Sequence, residues 1–195
     1  MDKTIYLIRH GYSLHNQLFD EIGAKAFEDE RVYDSPLIFG GQMQSIELGN
    51  TWIKKYDIDL VLVSPLSRTL ETCMNIFGDM DVDIICLENL REYPIGQHTC
   101  NQRKSINFLS NKYPKIKFYI QENEDTLWTP NHRESIEELN ERIIDIKDYI
   151  QKRTEKNIAI VGHASFIGQF KDNKINYREN GDEELKHCHP YIMNL

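Results

Sequence analysis

Residues 4–11 read Thr4-Ile5-Tyr6-Leu7-Ile8-Arg9-His10-Gly11: a short apolar run that ends on an arginine, a histidine and a glycine. A run of that length, rich in Ile and Leu, predicts a strand buried on both faces. The glycine lets the chain turn tightly just past its end. Runs at 60–64, 83–87 and 157–162 have the same character. Helical spacing lies between them. Over 135–152, Ile136, Leu139, Ile143, Ile146 and Ile150 fall on one face, and over 67–77, Leu70, Cys73, Met74 and Phe77 do so before Gly78 stops the helix. A third helix is expected over about 42–56, carrying Met43, Ile46 and Ile53 with Trp52 and Tyr56 alongside. Strands alternating with helices predict a mostly parallel α/β sheet covered on both faces.

In open parallel sheets, reactive groups collect in the crevice at the carboxyl ends of the strands. Arg9 and His10 stand at the first such end and His163, in Val161-Gly162-His163-Ala164, at the last. Arg68 follows the second strand in Ser64-Pro65-Leu66-Ser67-Arg68-Thr69, in the first turn of the next helix, where backbone amides favour an anion. Glu92, in Leu90-Arg91-Glu92, follows the third. A neutral imidazole is a nucleophile toward phosphorus, a guanidinium matches phosphate geometry, and a carboxylic acid can protonate a leaving oxygen. Nucleophile, anion clamp and acid at one end of one sheet predict phosphoryl chemistry.

Composition narrows the field. The 195 residues are 40% hydrophobic and 28% charged, the range of one globular domain, and the net charge of −8 disfavours a nucleic-acid partner held by a broad basic face. No run approaches transmembrane length, so no membrane partner is expected. Cys73, Cys86, Cys100 and Cys188 lack C-x-x-C spacing and read as reduced thiols, and with no secretory leader visible the expected location is cytoplasmic. Walker-type and G-x-G-x-x-G loops are absent, as is H-E-x-x-H. His187-Cys188-His189 reads as structural, because adjacent residues seldom supply two metal ligands, so neither metal nor cofactor is expected. Two polar stretches, 17–35 and 97–133, fit no regular element and are candidate walls over the site. Trp128, Arg133, Arg103 and Lys104 are candidate pocket residues within the second.

These blocks resemble the histidine phosphatase superfamily, also called phosphoglycerate mutase-like proteins. Leu7-Ile8-Arg9-His10-Gly11 with Ser13 and Asn16 is similar to its opening signature, and the segments around Arg68, Glu92 and His163 follow in family order. Asp34-Ser35-Pro36-Leu37, His98-Thr99-Cys100, Tyr113-Pro114 and Leu127-Trp128 resemble a plant and fungal branch. The resemblance implies a three-layer α/β/α sandwich, phosphoglycerate mutase-like, in one domain spanning 1–195 with 17–35 and 97–133 as capping inserts. It also implies that His10 becomes phosphohistidine, that Arg9, Arg68, His163 and Asn16 hold the phosphoryl group, and that Glu92 is the acid. The implied activity is a metal-independent phosphatase acting on a small phosphorylated metabolite. A mutase, or a catalytically retired binding module on the same fold, is the alternative. Oligomeric state is left open. The sequence departs from the pattern after Gln169, where the chain is short and polar, and a trimmed core with a more open pocket is expected there.

Overall fold

The computed structural model describes residues 2–175 and 185–195. In chain order its elements are β1 (Thr4–Arg9), α1 (Leu14–Ile22), α2 (Phe39–Thr51), β2 (Leu60–Val63), α3 (Ser67–Phe77), β3 (Asp83–Cys86), α4 (Ile106–Lys112), β4 (Lys117–Phe118), α5 (Ile136–Gln151), β5 (Asn157–Gly162), α6 (Ala164–Asp172) and β6 (Pro190–Asn194). The strands form one sheet in the order β4-β3-β2-β5-β1-β6. All neighbours are parallel except β6, which runs antiparallel along β1. β1 and β5 lie side by side with Arg9 opposite Gly162, so the two histidines that follow them emerge together.

Alternation along each strand sorts its side chains onto two faces. Ile5, Leu7, Leu60, Leu62, Ile158 and Ile160 meet Leu139, Ile143, Ile146 and Ile150 of α5 and Phe166 and Phe170 of α6. Tyr6, Ile8, Val61, Val63 and Val161 meet Leu70, Cys73, Ile76 and Phe77 of α3 on the other face. The result is the expected α/β/α sandwich. α5 starts as its sequence dictates, with Ser135 accepting from the Glu138 N–H while Glu138 accepts from the Ser135 N–H.

The helix expected over 42–56 differs. It runs Phe39–Thr51, and a 3₁₀ turn, Ile53–Asp57, follows. The break falls at Trp52, whose backbone leaves helical geometry and whose ring packs edge-on to Tyr6 and Phe77, at 5.5 and 6.1 Å between centroids. Met43, Ile46, Ile53 and Tyr56 point outward; the buried stripe is Gly41, Ser45 and Gly49. Small residues are needed there, since a Cβ on Gly41 would meet the Tyr12 carbonyl oxygen at 1.9 Å and one on Gly49 the Asn75 oxygen at 2.7 Å.

The two polar stretches are partly regular, against expectation: α1 runs into the first as far as Ile22, α4 and β4 lie in the second, and the two pack on each other. Leu18, Ala26 and Val32 form a small core with Cys100, flanked by Phe19 and Phe27. Within 97–133, Arg103 is a staple: it is buried, pairs with Glu88, and donates to the carbonyls of residues 122, 123 and 124. The C-terminal segment also departs from expectation. It adds β6 to the sheet, and its Leu185 carbonyl and His187 ring reach the end of β1.

Candidate active site

His10 follows β1 and is 2% exposed. Its Nδ1 lies 2.7 Å from the Gly11 carbonyl oxygen, which can only accept, so Nδ1 carries the proton and Nε2 keeps its lone pair. The turn that allows this is fixed by the Gly11 N–H, which donates to Thr72 Oγ1 at 3.0 Å, and by close approach of Gly11 to the Gly41 backbone. Burial first, and then the positive field of Arg68, hold the imidazole pKa well below its ordinary value. The ring is therefore neutral and a competent base or nucleophile at neutral pH.

Three rings surround it. His163 is 5.2 Å away between centroids, His187 5.5 Å and His15 5.7 Å. His163 is the N-cap of α6; its Nε2 pairs with Ser64 Oγ at 2.8 Å, and its Nδ1 is buried without a hydrogen-bond partner. Burial and then Arg68 lower its pKa as well. His187 Nδ1 donates to the His10 carbonyl at 2.6 Å, which pins the backbone of the loop. Ser64, Thr72, His15 and His187 are site neighbours that sequence reasoning did not single out for a role. His187 carried no usable signal, because its contact depends on the antiparallel return of β6.

The arginines are set by different means. Arg9 donates from Nη1 to the Leu185 carbonyl at 2.6 Å. Arg68 is fully buried; Nη1 donates to the Cys100 carbonyl at 2.7 Å and Nη2 to Asn101 Oδ1 at 2.9 Å, while Nε has no partner. The turn before it is held by Asp34, which accepts both the Ser67 N–H and hydroxyl at 2.7 Å. Glu92 sits before α6, where Oε1 accepts from the Tyr93 and Phe166 N–H groups at 2.8 and 3.1 Å. Its Oε2 has only a long contact, 3.4 Å, to the Ser165 N–H. Burial raises the Glu92 pKa above the usual carboxylate range against those hydrogen bonds and the pull of Arg68. Oε2, the oxygen with the weaker contact, is the one open to a proton. Asn16 is buried in the first turn of α1, and its Oδ1 accepts from the Ser13 N–H and hydroxyl. Its amide N–H₂ is what it has to offer a ligand.

The 97–133 stretch reaches the site through other residues than Arg103. His98 stacks on Phe27 at 4.7 Å, and Phe27 lies 6.4 Å from the His15 ring. Trp128 Nε1 donates to the His98 carbonyl and Arg133 contacts His98 Nε2 at 3.1 Å, while Lys104 lies over Phe108 instead. Among the described residues, no three His, Cys, Asp or Glu side chains are arranged to hold a metal ion, and no helix is long and apolar enough to cross a membrane.

Residues 5–172 match the family model described as histidine phosphatase superfamily (branch 1). The chain is 33% identical to phosphoglycerate mutase-like protein 1 of Arabidopsis thaliana, over 85% of this chain and 69% of that protein. Its fold is similar to that of the ecdysone phosphate phosphatase of Bombix mori, solved with tungstate: the TM-score is 0.66 at 16% identity, covering 98% of this chain and 88% of that one. The α-ribazole phosphatase of Shigella flexneri is similar at TM-score 0.62 and 18% identity, covering 94% and 86%.

Proposed function

From a chain that belongs to the histidine phosphatase superfamily, we propose a phosphatase that hydrolyses a small phosphorylated metabolite through a phosphohistidine on His10. The observation that carries this reading is the His10 tautomer: Nδ1–H is committed to the Gly11 carbonyl, so Nε2 presents its lone pair beside two buried guanidinium groups. In the first step Nε2 attacks phosphorus and the ester P–O bond breaks. Arg9, Arg68 and His163 hold the equatorial oxygens as charge develops, with the Asn16 amide as a further donor. Glu92 passes its proton to the departing oxygen. In the second step Glu92, now a carboxylate, takes a proton from water as that water attacks phosphorus and the P–N bond breaks, which releases inorganic phosphate and restores both groups.

The 17–35 and 97–133 inserts act as walls of this one domain, the second fixing Arg68 through Cys100 and Asn101. No metal takes part in this scheme. We assign the protein to the cytoplasm, in keeping with four unpaired cysteines, and expect neither nucleic-acid nor membrane partners, in keeping with its net charge of −8.

Turnover of an aryl phosphate by wild type and by His10→Ala is the direct test. Wild type is expected to release phosphate and, when quenched with labelled substrate, to carry acid-labile label on histidine; the variant should do neither. Equal rates from both would overturn the reading. Label passing to a second organic acceptor instead of water would identify a mutase.

A further inference from the structure

His15 is buried in the first turn of α1, 7% exposed, with its ring tilted against that of His10. Its Nδ1 lies 2.7 Å from Ser13 Oγ. The Ser13 hydroxyl donates to Asn16 Oδ1, the same oxygen that accepts the Ser13 N–H, so toward His15 it can only accept. Nδ1 therefore holds a proton, and Nε2 is the nitrogen left for a ligand. The backbone is equally fixed, since the His15 N–H donates to Ser35 Oγ at 2.8 Å. The charged and titratable groups facing the ring are Arg9 at the end of β1, Arg68 on α3, His10, His187 from the C-terminal segment and His98 from the 97–133 insert. The Phe27 ring lies 6.4 Å away, tilted against it.

An imidazole in the first turn of a helix, flanked by two guanidinium groups, has every reason to stay neutral in the empty site. Burial, then Arg68 and Arg9, keep its pKa well below the ordinary histidine value. A dianionic phosphoryl group among these cations reverses the local field. We propose that His15 is a further phosphate-binding residue of this site: as the anion enters, Nε2 takes a proton from solvent and donates it in a hydrogen bond to a phosphoryl oxygen. The inference rests on the crevice being the phosphate site, but not on the fate of the phosphoryl group. It makes anion capture a proton-coupled event, with the proton bound when the site is full and released when phosphate leaves.

Titration calorimetry with inorganic phosphate, near pH 7.5 in buffers of different ionisation enthalpy, counts protons taken up per phosphate bound. Two variants divide the roles of the ring. His15→Asn keeps an N–H for Ser13 but has nothing at the Nε2 position; His15→Gln places an amide N–H there that cannot titrate. His15→Asn is expected to bind phosphate about 10-fold more weakly than wild type and to take up about one proton fewer. His15→Gln should recover most of the affinity and still lack that proton. Proton uptake equal to wild type in either variant would overturn the proposal, whatever its affinity, and so would a wild type that binds no phosphate. Circular dichroism of both variants identifies any loss of fold, in which case the other decides. The phosphatase reading fails separately, through equal aryl phosphate turnover by wild type and His10→Ala.

Discussion

The crevice has two sides built on different principles. On the strand side, His10 and His163 are placed by the ends of β1 and β5, and the bonds that orient them and their loops go to the Gly11 carbonyl, to Thr72 on α3, to Ser64 after β2 and, from the C-terminal segment, to His187. On the insert side, Arg68 is held by a stretch that contains little regular structure. That stretch is itself held by buried ions. Arg91, fully buried, is paired with Glu88 and with Asp125, which also accepts the Arg103 N–H. Arg142 pairs with both oxygens of Glu134, one of which also accepts the Ile95 N–H. A backbone ladder sets position through many weak, redundant bonds; a buried ion network does it through few strong ones, each costly to leave half-made. In the proposed mechanism the chemistry falls on the strand side and the Arg68 clamp on the side held by the ion network.

The two sides should therefore fail differently. His10→Ala should abolish turnover, a loss on the order of 10⁴-fold or more, with a melting temperature within a few degrees of wild type. Asp125→Ala should do the reverse. It leaves Arg91 buried with a partly exposed Glu88 as its remaining carboxylate partner, and a loss of about 3–5 kcal/mol in unfolding free energy is expected from denaturant titration. Below its transition that variant should retain His10 chemistry. Parallel losses of activity and stability in both variants would erase the distinction.

Asn101→Ala probes the junction between the sides. It removes the acceptor of one Arg68 bond and the donor to the Pro94 carbonyl. Hydrogen bonds to charged groups are worth about 1.5–3 kcal/mol, so phosphate should bind roughly 10- to 100-fold more weakly. Competitive inhibition by phosphate measures it, and an unchanged inhibition constant would mean that Arg68 needs no help from the insert.

The same contrast explains what could be read in the sequence. β1, β2, β3 and β5 announce themselves through apolar runs, and the residues that end them fall where parallel-sheet topology sends them. Arg103 was misleading, because a basic residue in an anion-binding protein suggests a ligand, whereas its partners are carbonyls 19 to 21 residues further on and Glu88 upstream. Long-range pairing of that kind leaves no periodic trace. α2 misled for another reason: its apolar residues lie on the solvent side, and the informative positions were the smallest ones, Gly41, Ser45 and Gly49. Ser35 and Asp34 were visible as part of a block, but their work, fixing the starts of α1 and α3, requires the folded chain.

The smallest effect expected is on the pH dependence of stability, and it belongs to the strand side. His163 is neutral when folded, with its pKa well below the ordinary value of about 6.5 to which it returns when the chain unfolds. Below about pH 6.5 the unfolded state binds the extra proton, so stability is full above that pH and falls as pH drops toward the folded value. His10 and His15 behave alike, and Glu92, which binds its proton more readily when folded, offsets part of the loss. Each histidine contributes at most about 1.4 kcal/mol per pH unit. His163→Asn should therefore flatten the dependence of unfolding free energy on pH between about 6.5 and 5 by no more than that amount, whereas Asp125→Ala should lower the curve without changing its slope there. A slope that is the same in wild type and His163→Asn would mean that His163 carries its proton in the folded protein, and the clamp on that side would then be charged before any phosphate arrives.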